Sequence, residues 1–222
     1  HPLALAKTTA SIDVLSDGRF IFGVAAGWLE EEFTALGLDF RKRGPILDES
    51  LDVIMKSWTC ASVDHQGPQF NIEGAASFPH PIQDPHPPIW VGGHTKVSMR
   101  RAARLGATWF PPLFQTSPAK RSDEFAQIRE MAESYGHTSE AVSLSLRVLV
   151  DLREEPNLQE AEKRWALCGP ASAIVETLAP YLEIGVSHMV FLPQARTVSD
   201  VQRTIDLLAS EVIPALRGPW AK

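Results

Sequence analysis

Apolar positions along the chain follow two rhythms, one of helices and one of short buried strands. Leu3, Ala6, Ala10 and Val14 recur at helical spacing and predict a helix over residues 3–15, closed by the turn signal Ser16-Asp17-Gly18. Phe20-Ile21-Phe22-Gly23-Val24 is an unbroken apolar run and predicts a buried strand. It breaks at Ala25-Ala26-Gly27-Trp28, and a short acidic helix over residues 29–36 stops at Gly37. Pro45 suits the first position of a further helix, whose apolar stripe is Leu47, Leu51, Ile54, Met55 and Trp58.

Residues 60–88 hold eight prolines or glycines and no helical period. Phe70, Ile72 and Phe78 suggest a small β excursion there, outside the main repeat. Long loops in compact domains are often functional. From Pro88 the rhythm is regular. Strands are predicted at 89–91, 107–110, 142–150 and 187–192. Helices are predicted at 95–105, from Ser117-Pro118 to Gly136, near 157–167, at 171–184 and at about 198–216. Pro180 should kink its helix. With the strand ending at Val24 this makes five strands separated by helices, the pattern of parallel βαβ units. No stretch reads as a linker, so one domain is expected over 1–222, with an irregular insertion at about 60–88.

Composition narrows the classes. The chain has 222 residues and a formal net charge of -6, which gives no footing on a nucleic-acid backbone. Its apolar runs are too short to span a bilayer. Cys60 and Cys168 stand far apart and outside any Cys-x-x-Cys or Cys/His spacing, so no metal site is expected. Two free thiols suit a reducing cytoplasm. A single α/β barrel usually needs roughly 250 residues, more than are present.

The best-marked chemistry lies where the strand Ile89-Trp90-Val91 runs into Gly92-Gly93-His94-Thr95 and then a helix. Two glycines let the backbone approach a ligand closely. A helix N-terminus offers free N–H groups and partial positive charge, which suit phosphate or carboxylate. Thr95 could donate a hydroxyl or simply cap the helix, and the whole element could be a plain βα turn. It is neither a G-x-G-x-x-G nor a P-loop pattern. At the first strand end, Ala25 and Gly27 clear room for a flat ring that Trp28 could wall, unless Trp28 packs on the next helix. Trp109 and Phe110 end a strand and could line an apolar substrate pocket or fill the core. On strand 142–150, Ser143, Ser145 and Arg147 share one face and Val142, Leu144, Leu146 and Val148 the other. Arg147 would need a carboxylate or ligand partner if that polar face points inward. Glu30, Glu31 and Glu32 read as a solvated helix face. His65, His80 and His86 read as exposed loop residues. No general acid or base is identifiable.

Taken together, these segments resemble the bacterial luciferase-like oxidoreductases, especially the branch using the deazaflavin coenzyme F-420 (F420). The likeness rests on 1–7, on Leu15-Ser16-Asp17-Gly18-Arg19-Phe20, on Gly27-Trp28-Leu29-Glu30-Glu31-Glu32-Phe33, on Phe40-Arg41-Lys42-Arg43-Gly44, and on 88–95 with Arg101-Ala102-Ala103-Arg104-Leu105-Gly106. It covers nearly the whole chain. It implies a (β/α)8 TIM-type barrel of which this sequence holds strands four to eight, the first three being absent. An N-terminal truncation is therefore expected. It implies that the phosphate-bearing tail of the cofactor sits at Gly92, Gly93, His94 and Thr95, with Ala25 and Gly27 toward its ring. His94 stands where the family usually has a third glycine. The expected activity is hydride transfer between F420 and a small organic substrate. The alternatives are an FMN-dependent monooxygenase of the same fold and a non-catalytic barrel fragment. A homodimer is a further expectation.

Overall fold

The computed structural model describes residues 1–113, 116–153, 166–194 and 197–217. They divide into two compact units, His1–Val91 and Gly92–Lys222, taken here in turn.

In the first unit, helix α1 (Pro2–Leu15) opens on His1, whose ring accepts from the Leu3 N–H at 3.3 Å. Its buried side is Pro2, Ala6, Thr9, Ala10 and Asp13, while Val14 of the expected stripe is 40% exposed. The shift has a physical cause. Small residues let helix α3 (Arg43–Thr59) come close, and the Trp58 indole N–H reaches the Ala6 carbonyl at 3.0 Å. Helix α3 begins two residues before Pro45, because a 3-10 turn over Phe40–Lys42, capped by Asp39, runs straight into it. Pro45 thus sits in the first turn, not at its first position.

Strand β1 (Phe22–Val24) pairs in parallel with β4 (Ile89–Gly92), Phe22 beside Ile89 and Val24 beside Val91. Between them lie helix α2 (Glu30–Ala35), α3 and an antiparallel hairpin, β2 (Val63–Gln66) and β3 (Asn71–Ala75). The hairpin is the excursion expected within 60–88. Two buried carboxylates fasten this segment. Asp13 is fully buried and accepts from the Ile82 N–H at 2.8 Å, the Gln83 N–H at 3.1 Å and the Gln83 side-chain amide at 2.6 Å. Glu49 accepts from the Phe70 N–H at 2.8 Å, the Gln69 N–H at 3.1 Å and meets the His65 ring at 3.1 Å. Burial pushes the Glu49 carboxyl up, but the Phe70 N–H, the His65 ring and the Gln69 N–H together hold it below its ordinary value. Gly67 makes room for this contact, since a Cβ there would lie 2.2 Å from Glu49 Oε1. His65, His80 and His86 are half-buried rather than exposed. His65 is drawn in by Glu49, and His86 packs 5.6 Å from the Trp58 ring.

The second unit alternates helix and strand: α4 (Lys96–Leu105), β5 (Thr108–Phe110), α5 (Pro118–Ser134), β6 (Ser143–Leu152), β7 (Leu167–Gly169), α6 (Ala171–Glu183) and β8 (Val186–Pro193). It closes with α7 (Val198–Leu207), a π-turn over Leu208–Val212 and α8 (Ile213–Arg217). Strands β5, β7 and β8 each pair in parallel with the long β6. Leu144, Leu146, Val148 and Val150 of β6 are completely buried. Each contributes about 1.5–3 kcal/mol of apolar burial, which anchors the sheet. Helix α6 runs on through Pro180. The helix expected near 157–167 falls outside the described residues except for its end, and there Leu167 begins β7, a strand the sequence pattern did not predict.

All five predicted strands form in the βα order of a (β/α)8 barrel, and β7 makes six such strands among the described residues, fewer than the eight that closure requires. Among the described residues no helix is long and apolar enough to cross a membrane.

Candidate functional site

The glycine turn is built from both of its flanks. Ile89, Trp90 and Val91 are all buried, which fixes the strand end. Gly93 follows with φ +116, a backbone region closed to residues with a side chain. A Cβ there would also meet Ser98 Cβ at 3.1 Å. Helix α4 then starts on a reciprocal cap. Thr95 Oγ1 accepts from the Ser98 N–H at 3.3 Å, and Ser98 Oγ accepts from the Thr95 N–H at 3.1 Å. Ser98 Oγ also donates to the Thr95 carbonyl at 2.8 Å. Met99 N–H bonds the Thr95 carbonyl at 3.0 Å, so the first-turn N–H groups of Lys96 and Val97 have no acceptor within the helix.

Trp109 completes the turn. Its ring is fully buried, and its indole N–H donates to the Gly93 carbonyl at 2.9 Å. Of its two expected roles, the geometry matches core filling. Phe110 beside it is half-buried. The guanidinium of Arg121 lies 4.9 Å over the Trp109 ring. Arg121 is almost wholly buried, bonding Glu124 at 2.9 Å and the Pro112 carbonyl at 3.1 Å. Burial lowers its pKa against the opposing pull of Glu124 and Tyr181. Burial likewise raises the Tyr181 phenol, whose hydroxyl donates to the Thr116 carbonyl.

His94 and Thr95 are exposed, and Gly92 and Gly93 half-exposed. The structure therefore presents an open turn of four residues whose backbone is held rigidly from behind. Thr95 caps the helix, as one of its two expected roles required, and its hydroxyl hydrogen is not used by the cap. The sequence reading missed Ser98, because a capping box is usually recognised by Glu or Gln at that position.

The first strand end, in the other unit, is different. Ala25, Gly27 and Trp28 are exposed, and Trp28 is 83% accessible, so it does not pack on α2. Packing there falls to Phe33, which lies edge-on to Phe40 at 5.2 Å. Gly27, at φ +80, makes that possible, since a Cβ would stand 2.8 Å from the Phe33 ring. Glu30, Glu31 and Glu32 are solvated as expected.

Comparison with known proteins gives three findings. The family model for luciferase-like monooxygenases matches residues 1–185. An F420-dependent glucose-6-phosphate dehydrogenase from Nakamurella multipartita is 25% identical over 98% of this chain and 74% of its own length. Among solved structures, an F420-dependent secondary alcohol dehydrogenase bound to an F420-acetone adduct superposes with a TM-score of 0.81 at 16% identity, over 98% of this chain and 76% of that one. Riboflavin lyase with modified FMN gives 0.78 at 15% identity, over 99% of this chain and 68% of that one.

Proposed function

Because the chain belongs to the luciferase-like monooxygenase family, we propose that it is an oxidoreductase moving a hydride between F420 and a small organic substrate. Relatives named for F420 support the choice of cofactor. The observation that carries the reading is the turn at Gly92-Gly93-His94-Thr95. This turn suits the phosphate of a cofactor tail, because Gly93, at φ +116 and without a side chain, brings bare backbone to the start of α4. The Lys96 and Val97 N–H groups supply donors at the positive end of α4.

F420, when bound, supplies the two-electron chemistry. The work of this chain's residues is to hold and orient. Gly92 and Gly93 let the phosphate approach the backbone. Thr95, which keeps its hydroxyl hydrogen free while capping α4, adds a donor. The Trp109 indole fixes the Gly93 carbonyl, so the cradle keeps its form without a ligand. His94 is exposed at the same place and is the side chain best placed to meet the tail. Ala25 and Gly27 are assigned to the ring, with Trp28 as a substrate-side wall and Phe110 as a further pocket residue. The protein acts in the cytoplasm on a small molecule, as a homodimer.

FMN is the second reading, favoured by the likeness to riboflavin lyase with its modified FMN. Equilibrium titration with both cofactors separates them. Binding of F420 with no measurable binding of FMN is expected. FMN binding alone transfers the assignment to the monooxygenase chemistry of the family, and binding of neither points to a non-catalytic fragment.

A further inference from the structure

One buried donor in the second unit is left without a partner on a face that the cofactor reading does not use. Strands β5 and β6 run in parallel with Thr108 beside Ser143, and their hydroxyls lie 2.7 Å apart. That pair marks one face of the sheet. By alternation along β6, Ser145 and Arg147 share it, while Leu144, Leu146 and Val148 fill the core on the other. In register on β8, His188 stands beside Ser145 and Val190 beside Arg147. Pro112 bridges to Arg147 from the opposite side. The face is thus polar and includes one permanent cation.

Arg147 is held rigidly by its backbone. Its N–H donates to the Pro111 carbonyl at 3.1 Å, and its own carbonyl accepts from the Leu113 N–H at 3.0 Å. It lies just past the end of β5, level with the chain as it leaves the strand. In α/β barrels that end of the sheet carries the ligands. Its side chain is half-buried, and its Nε is buried with no hydrogen-bond partner among the described residues. None of the ion pairs among the described residues involves Arg147. A buried guanidinium donor left unbonded is costly, and such a group in a native fold calls for a water, an ion or a ligand. Arg121 in the same unit also has an unbonded Nε, but its charge is matched by Glu124 and its Nη2 by the Pro112 carbonyl, whereas Arg147 has no such ion pair among the described residues.

We propose that Arg147 is an anion-binding residue that holds a carboxylate or phosphate group of the substrate. The fork of Nε and Nη donors matches either oxyanion in a two-pronged grip. Val190 and Pro112 are the backbone neighbours of Arg147 on its two sides and would offer apolar contact to the carbon skeleton. The substrate class is accordingly a small organic acid or phosphate ester. The assignment to substrate rests on the oxidoreductase reading, whereas the anion site itself does not.

The test is direct observation of the Arg147 Nε–H. Inorganic phosphate, and acetate in a parallel series, are titrated into ¹⁵N-labelled protein, with the signal assigned by its loss in Arg147→Lys. A saturable shift of that signal is expected, with affinity about tenfold weaker or more in Arg147→Met. Arg147→Lys, which keeps charge but not the fork, should fall between. An unmoved Nε–H, or equal affinity in wild type and Arg147→Met, overturns the site. F420 and FMN affinities are measured on the same variants. Cofactor affinity unchanged within about twofold supports the substrate assignment, and a tenfold loss overturns it by giving the anion to the cofactor. If wild-type protein binds neither cofactor, the oxidoreductase reading fails while the phosphate titration still decides the site.

Discussion

The two strand ends of this chain are of one kind in sequence and of two kinds in structure. Val24-Ala25-Ala26-Gly27-Trp28 and Val91-Gly92-Gly93-His94-Thr95 both follow an apolar strand with small residues, and both lead into a helix. The second is braced by a reciprocal cap and by an indole donor from behind. The first has a helix without a side-chain cap and exposes its residues. The difference follows from what comes next. Helix α4 buries Ser98, Met99, Ala102 and Ala103, so its start is fixed by the core. Helix α2 has six residues and buries none, so little beyond Phe33 positions its start. A turn is pre-organised for a ligand when the elements it joins are themselves well packed.

That comparison can be broken at several points. Gly93→Ala is expected to do the most damage, because it forces a side chain into a glycine-only region and against Ser98. A stability loss of about 2–3 kcal/mol is expected by urea denaturation. Cofactor affinity should drop at least about tenfold. Trp109→Phe removes the donor to the Gly93 carbonyl and should cost about 1.5 kcal/mol. A loss no larger than at a surface site would show that the indole does not brace the turn. Thr95→Ala removes one arm of the cap and should cost about 1 kcal/mol in thermal unfolding, with Thr95→Ser retaining most of it.

Acid sharpens the comparison differently. The turn at Gly93 is held by neutral groups, while the hairpin of the first unit is held by Glu49. That carboxyl's folded pKa lies below its ordinary 4.5, so its stabilisation is complete above that value and is lost as pH falls through the lowered one. Hydrogen-exchange protection of the Phe70 N–H should therefore fall in acid before that of the Ser98 N–H. The reverse order would remove Glu49 from its role. Smallest of all, Trp28→Ala should change stability by no more than about 0.5 kcal/mol, since the ring touches little.

Strand positions were legible because apolar runs of this kind have few alternatives: 20–24, 89–91 and 142–150 each became a strand of the sheet. The glycine turn was legible because glycine pairs at strand ends are conspicuous. What held it was not. Ser98 is an ordinary residue in an amphipathic helix, and nothing local marks Trp109 as its neighbour. The buried carboxylates were illegible for a related reason. Asp13 sits at a helix position where an acidic residue normally faces water, and its partners lie 69 and 70 residues on. Strand β7 was hidden because it is three residues long and follows a segment of helical composition. Arg147 was placed on its polar face by alternation alone, but its unbonded Nε required coordinates.

Asp13 also has a kinetic meaning. A carboxylate at that point of α1 cannot be buried until Ile82 and Gln83 arrive to solvate it. During synthesis α1 therefore cannot settle onto its neighbours until some seventy further residues have followed. The loop carrying those two amides acts as a late fastener, and closing so long a span is a slow, entropically uphill step. Until then α1 is a helix with an unburied carboxylate in its last turn, tethered but not seated. Folding of the first unit is thus timed by its last segment rather than its first.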